Sequence, residues 1–553
     1  MPLMGALYVG NSGLSTSQNA LNTTAHNMTN ADTTGYVRQQ VQQGTRFYNT
    51  IRVDPNAISN QQIGLGVNYS KVKQVRDFFL DQTYRRESGR GAFYEVSWGA
   101  LEEVESLFDE LNGETFQAAL EGVWEAIQEL SKDPSNAVTQ GLLVQKSSQF
   151  VERAQFVYQG LVDYQMNLNQ QIKQKVDIIN DYAERIKVLN EEICAIECGG
   201  IESANDLRDQ RNYILDELAK MGKISYSEDV FNQVHVQFEG VDLVKREQVY
   251  EIGLHEDENT GFYTPFWIQN ATFKTDKNGE RIYNIEGAEV YDLNAIISTE
   301  LNTDIGSLRS MVLVRGDHHA DYTDVQPENY DHSISQSVIM NVQAEFDQLI
   351  RNVVTTINEV LAQAAEAENP ATGYLRNEDG SPIQMFTKIA TDSYVQLDDG
   401  TWEYVEENQF DKGTLYSVMN LQINKELMQM PAMLNFIKED KSVDYDTVEK
   451  LKEAFTKENN VLNPNVKKKS NFVDYYGDLI AQIANSGSVN KSILFNQETT
   501  VNSTFTAREQ VIGVSSDDEL TYMVKFQNAY NASSRYINVI DEMLEHLINA
   551  LAV

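Results

Sequence analysis

The sequence contains 553 residues, of which 41% are hydrophobic and 10% aromatic, so it predicts several folded domains and not a disordered chain. A net charge of −38 argues against binding to nucleic acid or to an anionic membrane surface, because both would repel it. Two cysteines exclude a disulfide framework, and we find neither a cleavable signal pattern nor an apolar run long enough to span a membrane.

The negative charge is concentrated in the middle of the chain. Residues 1–45 contain one acid and one base, and residues 506–553 have a net charge of −4, which leaves −34 for the middle. Nearly uncharged ends can pack side by side without repulsion, whereas the middle favours water. The two ends are therefore predicted to be packing elements.

A narrow apolar stripe runs along the first 30 residues. Its members recur every seven residues and are Leu7, Leu14, Leu21 and Met28. The remaining residues are small and polar, which is typical of half of a coiled coil. A helix of this length and polarity is marginal alone, so we expect it to need a partner helix.

The body of the chain alternates between helical and β-like patterns. Residues 46–75 read as a loop with short strands, and residues 75–222 read as helices. The longest pattern runs from Phe150 to Ile193 and predicts one helix that ends at Gly199–Gly200. Such a long helix is typical of an extended scaffold.

Two β-rich stretches interrupt the later helices. In the first, Val234–Phe238 alternates in polarity, and Asn278–Gly279 lies between two β-like segments as a hairpin signal. In the second, Tyr394–Leu397 and Thr401–Val405 flank Asp399–Gly400. Helical periodicity returns at 331–362 and 431–505, so the β-rich stretches are predicted to be insertions into a helical body.

A second apolar stripe lies at the C-terminal end. Its members alternate three and four residues apart and are Met523, Phe526, Tyr530, Ser533, Ile537, Ile540, Leu544, Leu547 and Leu551. This is a heptad seam, although an ordinary amphipathic helix remains the alternative. With a matching stripe at the other end, we favour a pair of terminal helices.

Signals for catalysis and metal binding are weak. His255–Glu256 begins like a zinc-protease motif, but Asn259 occupies the position of the second histidine. His318–His319 could bind a metal ion, but we favour the interpretation that it lies in a solvated loop. We therefore predict no catalytic group, no cofactor and no metal.

Three stretches of the chain contain distinctive motifs. The first motif includes Asn27, Asn30, Thr34, Gly35, Tyr36 and Arg38. The second includes Asn205, Asp206, Leu207, Asp209, Gln210 and Arg211, and the third stretch runs from Val514 to Ile548. Together they resemble one family, the flagellar rod, hook and hook-associated axial proteins, and the second motif resembles the hook-associated branch at the hook–filament junction.

The resemblance implies a structural subunit that is not an enzyme. Such proteins keep their ends disordered until the terminal helices pair in the axial tube, and they leave the cell through type III export without a cleaved signal. The implied partners are further copies of the chain in a ring or tube, the hook protein, a second junction protein and an export chaperone on Ile537–Leu551. Nucleic acid and membrane are not implied partners, and the implied location is the extracellular flagellum.

The expected fold is mainly α with inserted β-rich domains, in a discontinuous axial protein whose terminal helices pair as a coiled coil. The predicted domains are an inner tube domain at 1–45 and 506–553, a helical middle domain at 46–222, 331–362 and 431–505, and outer β-rich domains at 223–330 and 363–430. Two alternatives remain: another axial protein such as hook protein or flagellin, and an axial protein whose insertions carry an adhesin or enzyme activity.

Overall fold

The computed structural model describes residues 3–53, 60–108, 115–200, 202–275, 281–367, 373–398 and 400–551. The chain forms two compact units, each assembled from separated segments. Unit 1 consists of Met1–Gly91, Asp177–Ile252 and Asn496–Val553, and unit 2 consists of Ala92–Val176 and Gly253–Phe495. The predicted inner, middle and outer domains refer to an assembled form and stay a prediction.

Helices form most of the described chain. They are α1 (Leu3–Thr29), α2 (Phe78–Phe108), α3 (Phe116–Lys132), α4 (Ala137–Glu197), α5 (Asn205–Met221), α6 (Ser307–Arg315), α7 (His332–Gln336), α8 (Val338–Ala367), α9 (Lys425–Gln429), α10 (Tyr445–Thr456), α11 (Phe472–Ile512) and α12 (Ser516–Leu551). The predicted class, mainly α with β insertions, is confirmed.

The strands are short and form small antiparallel ladders. They are β1 (Gln39–Thr45), β2 (Tyr48–Val53), β3 (Asn60–Gly64), β4 (Val67–Gln74), β5 (Ile224–Glu228), β6 (Val234–Phe238), β7 (Val241–Lys245), β8 (Gln248–Val249), β9 (Ile252–Glu256), β10 (Tyr263–Trp267), β11 (Thr272–Thr275), β12 (Arg281–Asn284), β13 (Phe386–Lys388), β14 (Tyr394–Gln396), β15 (Trp402–Tyr404) and β16 (Leu421–Ile423). Strands β5 to β8 form a four-stranded sheet in sequence order, and the other ladders described have two strands.

The long helix predicted from the pattern between Phe150 and Ile193 is confirmed as α4, which has 61 residues. Both residues that bound the pattern are fully buried. The helix ends at Glu197, and Gly200 takes a left-handed φ of 65° while its N–H donates to the Glu197 carbonyl. Cys198 therefore lies in the turn that follows the helix.

The predicted β-hairpins are confirmed where the structure describes them. β11 pairs with β12 from Thr272↔Asn284 to Thr275↔Arg281, and the predicted turn at Asn278–Gly279 lies outside the described residues. β14 pairs with β15, with Tyr394 opposite Tyr404.

Asparagines on helices attach the β-rich segments. Asn190 on α4 exchanges two hydrogen bonds with the backbone of Val234, at 2.9 and 3.0 Å, and thereby acts like a neighbouring strand. Asn180 makes the same pair of bonds with Ile252 in unit 1. In unit 2, Asn169 and Asn358 also accept from strand N–H groups and donate to backbone carbonyls. Asparagine side chains on these helices thus satisfy the hydrogen-bonding capacity of backbone N–H and carbonyl groups in the β-rich segments.

The core of unit 2 is aromatic. The ring centroids of Phe116 and Phe346 lie 4.9 Å apart, those of Phe108 and Phe346 5.4 Å, and those of Phe116 and Phe150 5.6 Å. These edge-on and tilted arrangements are favourable aromatic geometries. Among the helices that the structure describes, none is long and apolar enough to cross a membrane.

Candidate assembly interface

Helices α1 and α12, the two ends of the chain, pack against each other in unit 1. A Cβ atom placed on Gly10 would lie 2.7 Å from Cγ1 of Ile537, and one on Gly13 would lie 2.7 Å from Oγ of Ser533. A side chain at position 10 would therefore force Ile537 to move, whereas at position 13 a rotation of the Ser533 hydroxyl would relieve the short contact. The predicted pairing of the terminal helices is confirmed.

The stripe predicted on α12 faces this contact over most of its length. Ile540 is buried, and the residues before and after it in the stripe are half-buried, namely Met523, Phe526, Tyr530, Ser533, Ile537 and Leu544. Leu547 is 44% exposed, and the side chain of Leu551 lies outside the described residues. The role of the stripe in assembly stays a prediction.

On α1 a row of small residues accompanies the predicted stripe. Leu7, Leu14, Leu21 and Met28 are only half-buried. The positions that alternate three and four apart on the contact face are small residues, namely Ala6, Gly10, Gly13, Ser17, Ala20 and Thr24. The leucines lie beside this small-residue seam and remain partly open to other contacts. Small residues at heptad spacing were the signal that a search for large apolar residues missed.

The first motif folds back on the end of α1 through Asn27, which is 1% exposed. Its Oδ1 accepts from the Tyr36 hydroxyl at 2.8 Å and from the Gln39 N–H at 3.0 Å, and its Nδ2 donates to the Gln39 carbonyl at 2.8 Å. Asn27 thus pairs with the backbone of β1 as Asn190 pairs with the backbone of β6. It fixes where β1 leaves the helix.

The turn between α1 and β1 uses the other residues of the first motif. Asn30 donates from Nδ2 to the His26 carbonyl at 3.0 Å and accepts from the Thr33 hydroxyl at 3.2 Å. Gly35 has a φ of 80°, a conformation that residues with a Cβ rarely adopt, while Thr34 before it is exposed. Burial raises the pKa of the Tyr36 phenol, whose hydroxyl donates to Asn27.

The second motif meets the first through Asp209 on α5, which is 7% exposed. Its carboxylate accepts from the Val37 N–H at 3.2 Å and from Gln74 Nε2 at 2.8 Å. Burial raises the pKa of Asp209 to about 7, against these two donors, which lower it. Gln39 also donates to Asp206 at 3.2 Å, and Gln74 donates to the carbonyl of Asn205 at 2.8 Å.

The other residues of the second motif divide into buried and exposed. Arg211 is 2% exposed and donates to Asn190 Oδ1 and to the Asn232 carbonyl, both at 2.9 Å, and to Glu228. Burial lowers the pKa of Arg211 to about 10. Leu207 is half-buried and Gln210 is exposed. The second motif therefore has one side that is buried in unit 1 and one side that is exposed to solvent.

The third stretch joins the same cluster at the start of α12. Arg38 Nε donates to Glu519 at 2.9 Å, and the Arg38 N–H donates to the Ile512 carbonyl at 2.9 Å. Glu519 is 2% exposed. We call Asn27, Tyr36, Arg38, Gln74, Asp209 and Glu519 the polar node. Sequence reasoning missed Gln74 and Glu519, because no local periodicity marks their distant partners.

Buried ion pairs also join helices α2, α5 and α11 in unit 1. Arg85 Nε lies 2.6 Å from Asp216, and Arg508 lies 2.8 Å from both Asp216 and Asp81. Buried charges are tolerated when they are paired in this way, and removing one partner is costly. This network on α2, α5 and α11 has no signature in the sequence.

An open groove of about 600 Å³ adjoins the first two motifs. We call it the motif groove, and it lies between the turn at 30–36, residues 181–189 of α4 and residues 206–214 of α5. Val188 and Tyr213 in its wall are 43% and 45% exposed, and Asp181, Glu184 and Asp206 are exposed carboxylates. The groove thus combines apolar and acidic surface.

The histidine pair considered as a metal site has other partners. His318 Nδ1 lies 2.6 Å from Asp317 and His318 Nε2 lies 3.2 Å from Asp324, so both ring nitrogens are engaged. His319 Nδ1 lies 2.8 Å from Gln165 Oε1. Across the described ranges, no group of three or more histidine, cysteine or carboxylate side chains is placed to hold a metal ion.

Comparisons with known proteins agree with the three motifs. Residues 101–374 match the helical domain of flagellar hook-associated protein FlgK, residues 7–36 match the flagella basal body rod protein family, and residues 511–550 match the C-terminal family of the flagellar basal body rod proteins FlgEFG. The three matches together cover more than half of the chain.

Similar proteins extend over nearly the full length. Flagellar hook-associated protein 1 of Bacillus subtilis (strain 168) is 25% identical, with 98% of this chain and 97% of the relative covered. The protein of the same name from Salmonella typhimurium is 22% identical, with 97% and 98% covered. The flagellar hook junction protein FlgK from Burkholderia pseudomallei has the same fold, with a TM-score of 0.52 and 10% identity over 78% of this chain and 100% of that one. The chain therefore belongs to the flagellar hook-associated protein 1 family.

Proposed function

We propose that the chain is a structural subunit of the bacterial flagellum that joins hook to filament, as copies assembled through their terminal helices. The observation that carries this proposal is the contact between α1 and α12, where Gly10 and Gly13 allow close approach while most of α12 stays open. Large apolar side chains remain exposed on α12, for example Val524, Met543 and Ile548. Such surface is typical of a subunit interface.

The polar node supports a mechanical role and not a catalytic one. Asn27, Asp209 and Glu519 are buried, and the bonds they make join the first motif to the second and third. A catalytic site instead needs polar groups that are directed at a substrate. The node therefore stabilises the base of the terminal helix pair.

The location and the remaining partners follow from the same proposal. A junction subunit is extracellular and reaches its place by type III export, and low cysteine content suits that passage. Its neighbours are further copies, the hook protein and a second junction protein. The exposed end of α12, with Leu547 and Ile548, offers an apolar surface for an export chaperone before assembly.

Co-sedimentation with isolated hooks tests the proposal on the full-length chain. Gly10→Leu should abolish binding, because the added side chain would displace Ile537 in the helix pair. Asn22→Leu adds the same side chain at an exposed position of α1 and should bind as the unmodified protein does. If the unmodified chain does not pellet with hooks, or if Gly10→Leu binds equally well, the proposal is wrong.

A further inference from the structure

The start of the hairpin formed by β2 and β3 exposes two adjacent aromatic rings. Phe47 is 93% exposed and Tyr48 is 61% exposed, and Arg46 beside them is also exposed. An isolated two-stranded hairpin is at best marginally stable in water. Exposed aromatic and arginine side chains on such an element are typical of the residues that dominate binding energies at interfaces.

The hairpin lies in a basic stretch of an acidic chain. Residues 33–76 contain six basic residues, which are Arg38, Arg46, Arg52, Lys71, Lys73 and Arg76, against the single acid Asp54. The whole chain has a net charge of −38. Arg38 and Arg76 are paired with Glu519 and Asp81 within the chain. The other four basic residues favour contact with the acidic surface of another copy.

The motif groove has the complementary chemistry. Asp181, Glu184 and Asp206 provide negative charge that exceeds the positive charge of Arg185 in the same wall. Val188 and Tyr213 provide exposed apolar wall. The carboxylates make contacts within their own surface, such as Glu184 with Lys187 at 2.9 Å. Exposed pairs of this kind contribute little free energy and exchange readily for a new partner.

Within one chain, the groove and the hairpin do not meet. Residues 46–48 are exposed and are absent from the groove wall, which the turn at 30–36, α4 and α5 form. Two different and complementary surfaces on one subunit make a head-to-tail contact, which generates closed rings or helical tubes. That is the symmetry a tubular assembly needs.

We propose that Arg46, Phe47 and Tyr48 of one copy dock into the motif groove of a neighbouring copy. The two rings meet the apolar wall formed by Val188 and Tyr213, and the guanidinium meets the carboxylates of Asp181 and Glu184. Each aromatic side chain can bury about 150–250 Å² of surface, and the groove has a volume of about 600 Å³. This inference rests on the proposed function, since it names one contact between copies in the tube.

A charge swap in the full-length protein tests the contact. Arg46→Glu and Glu184→Lys should each weaken self-association by about five-fold or more, because each places like charges opposite one another. The double variant restores opposite charges and should regain association to within about two-fold of the unmodified protein. Sedimentation velocity on concentrated protein measures this, at low and at high salt, since salt should weaken the contact.

A second pair of variants tests the aromatic part. Phe47→Ser should lose self-association, whereas Phe410→Ser, which removes a ring that is 89% exposed in unit 2, should not. Single charge variants that associate like the unmodified protein, a double variant that stays as weak as the singles, or a full-length chain that remains monomeric would each overturn the inference. Hook co-sedimentation is scored separately, so hook binding without this contact leaves the proposed function intact.

Discussion

The terminal helix pair and the aromatic core of unit 2 are both made of helices but are stabilised differently. In unit 2, Phe116, Phe150 and Phe346 are at most 1% exposed and their rings contact one another. Among the described side chains of α12, only Glu519 and Ile540 are buried. Because buried apolar surface stabilises by about 25 cal/mol per Å², the core gains more free energy per side chain than the terminal pair does.

The difference indicates where folding stops and assembly begins. A helix that leaves most of its apolar residues open gains free energy only when another surface covers them. The small-residue seam gives the pair a defined geometry, and the polar node fixes its base. The predictions that follow separate these contributions, beginning with the core.

Phe346→Ala should produce the largest loss of stability. The ring is fully buried between Phe108 and Phe116, so its removal leaves a cavity and should cost about 3–5 kcal/mol. Urea unfolding followed by circular dichroism measures the change. Phe410→Ala, at an exposed position, should change the free energy of unfolding little, and equal effects of the two variants would contradict the account of the core.

Asp209→Asn should flatten part of the pH dependence. A carboxyl whose pKa is raised to about 7 holds its proton more tightly when folded, so its stabilising contribution is complete below about pH 4. That contribution is lost as the pH rises to about 7, by on the order of a few kcal/mol. Comparing urea unfolding at the two ends of this range, the variant should lose less stability than the unmodified chain.

The matched control is Asp177→Asn, which changes an exposed carboxylate on α4 in unit 1 that does not contribute to the raised pKa of Asp209. It should leave the pH dependence as it is. In unit 2, burial raises the pKa of Asp347 to about 8 and that of Glu345 to about 7. Both carboxyls are present in all three proteins, so they contribute equally to the pH dependence of each. If Asp209→Asn has the same pH profile as the unmodified protein, Asp209 does not titrate in the polar node as we infer.

Asn27→Ala should cost less, about 1–3 kcal/mol, because the Tyr36 hydroxyl and the backbone of Gln39 lose their buried partner. Hydrogen exchange should show faster exchange at the Gln39 N–H and along β1. Asn22→Ala removes an exposed asparagine from the same helix and should change neither quantity. Equal protection of β1 in both variants would show that Asn27 does not hold the strand.

Regular patterns in the sequence predicted the regular parts of the fold. The stripe on α4 from Phe150 to Ile193 is buried at both its limits, and the stripe on α12 faces α1 through Ile537. On α1, Gly10 and Gly13 face Ile537 and Ser533 of α12, and the part that the leucine stripe plays stays a prediction. Periodicity locates a helix face, but how close two helices approach depends on the size of the side chains between them.

Some residues of the polar node could be predicted from the sequence, but their contacts could not. Resemblance singled out Asn27, Arg38 and Asp209, but not what they touch. Val37 and Asp209 are 172 residues apart, and Arg38 and Glu519 are 481 residues apart. Hydrogen bonds and ion pairs over such separations leave no local pattern, because only the folded chain brings the partners together.

Leu14→Asp with Leu21→Asp should have the smallest effect on the isolated chain and abolish assembly. Both leucines are half-buried beside the small-residue seam, so the monomer loses little, whereas neighbouring copies would meet charge in place of apolar surface. Thermal unfolding and hook co-sedimentation measure the two effects, with Ser15→Asp and Asn22→Asp adding the same charge at exposed positions of α1. A melting temperature lowered by several degrees would show that the part of α1 around Leu14 and Leu21 already stabilises the monomer. The N-terminal helix would then be stabilised within a single chain, as the core of unit 2 is, and would not need a neighbouring copy.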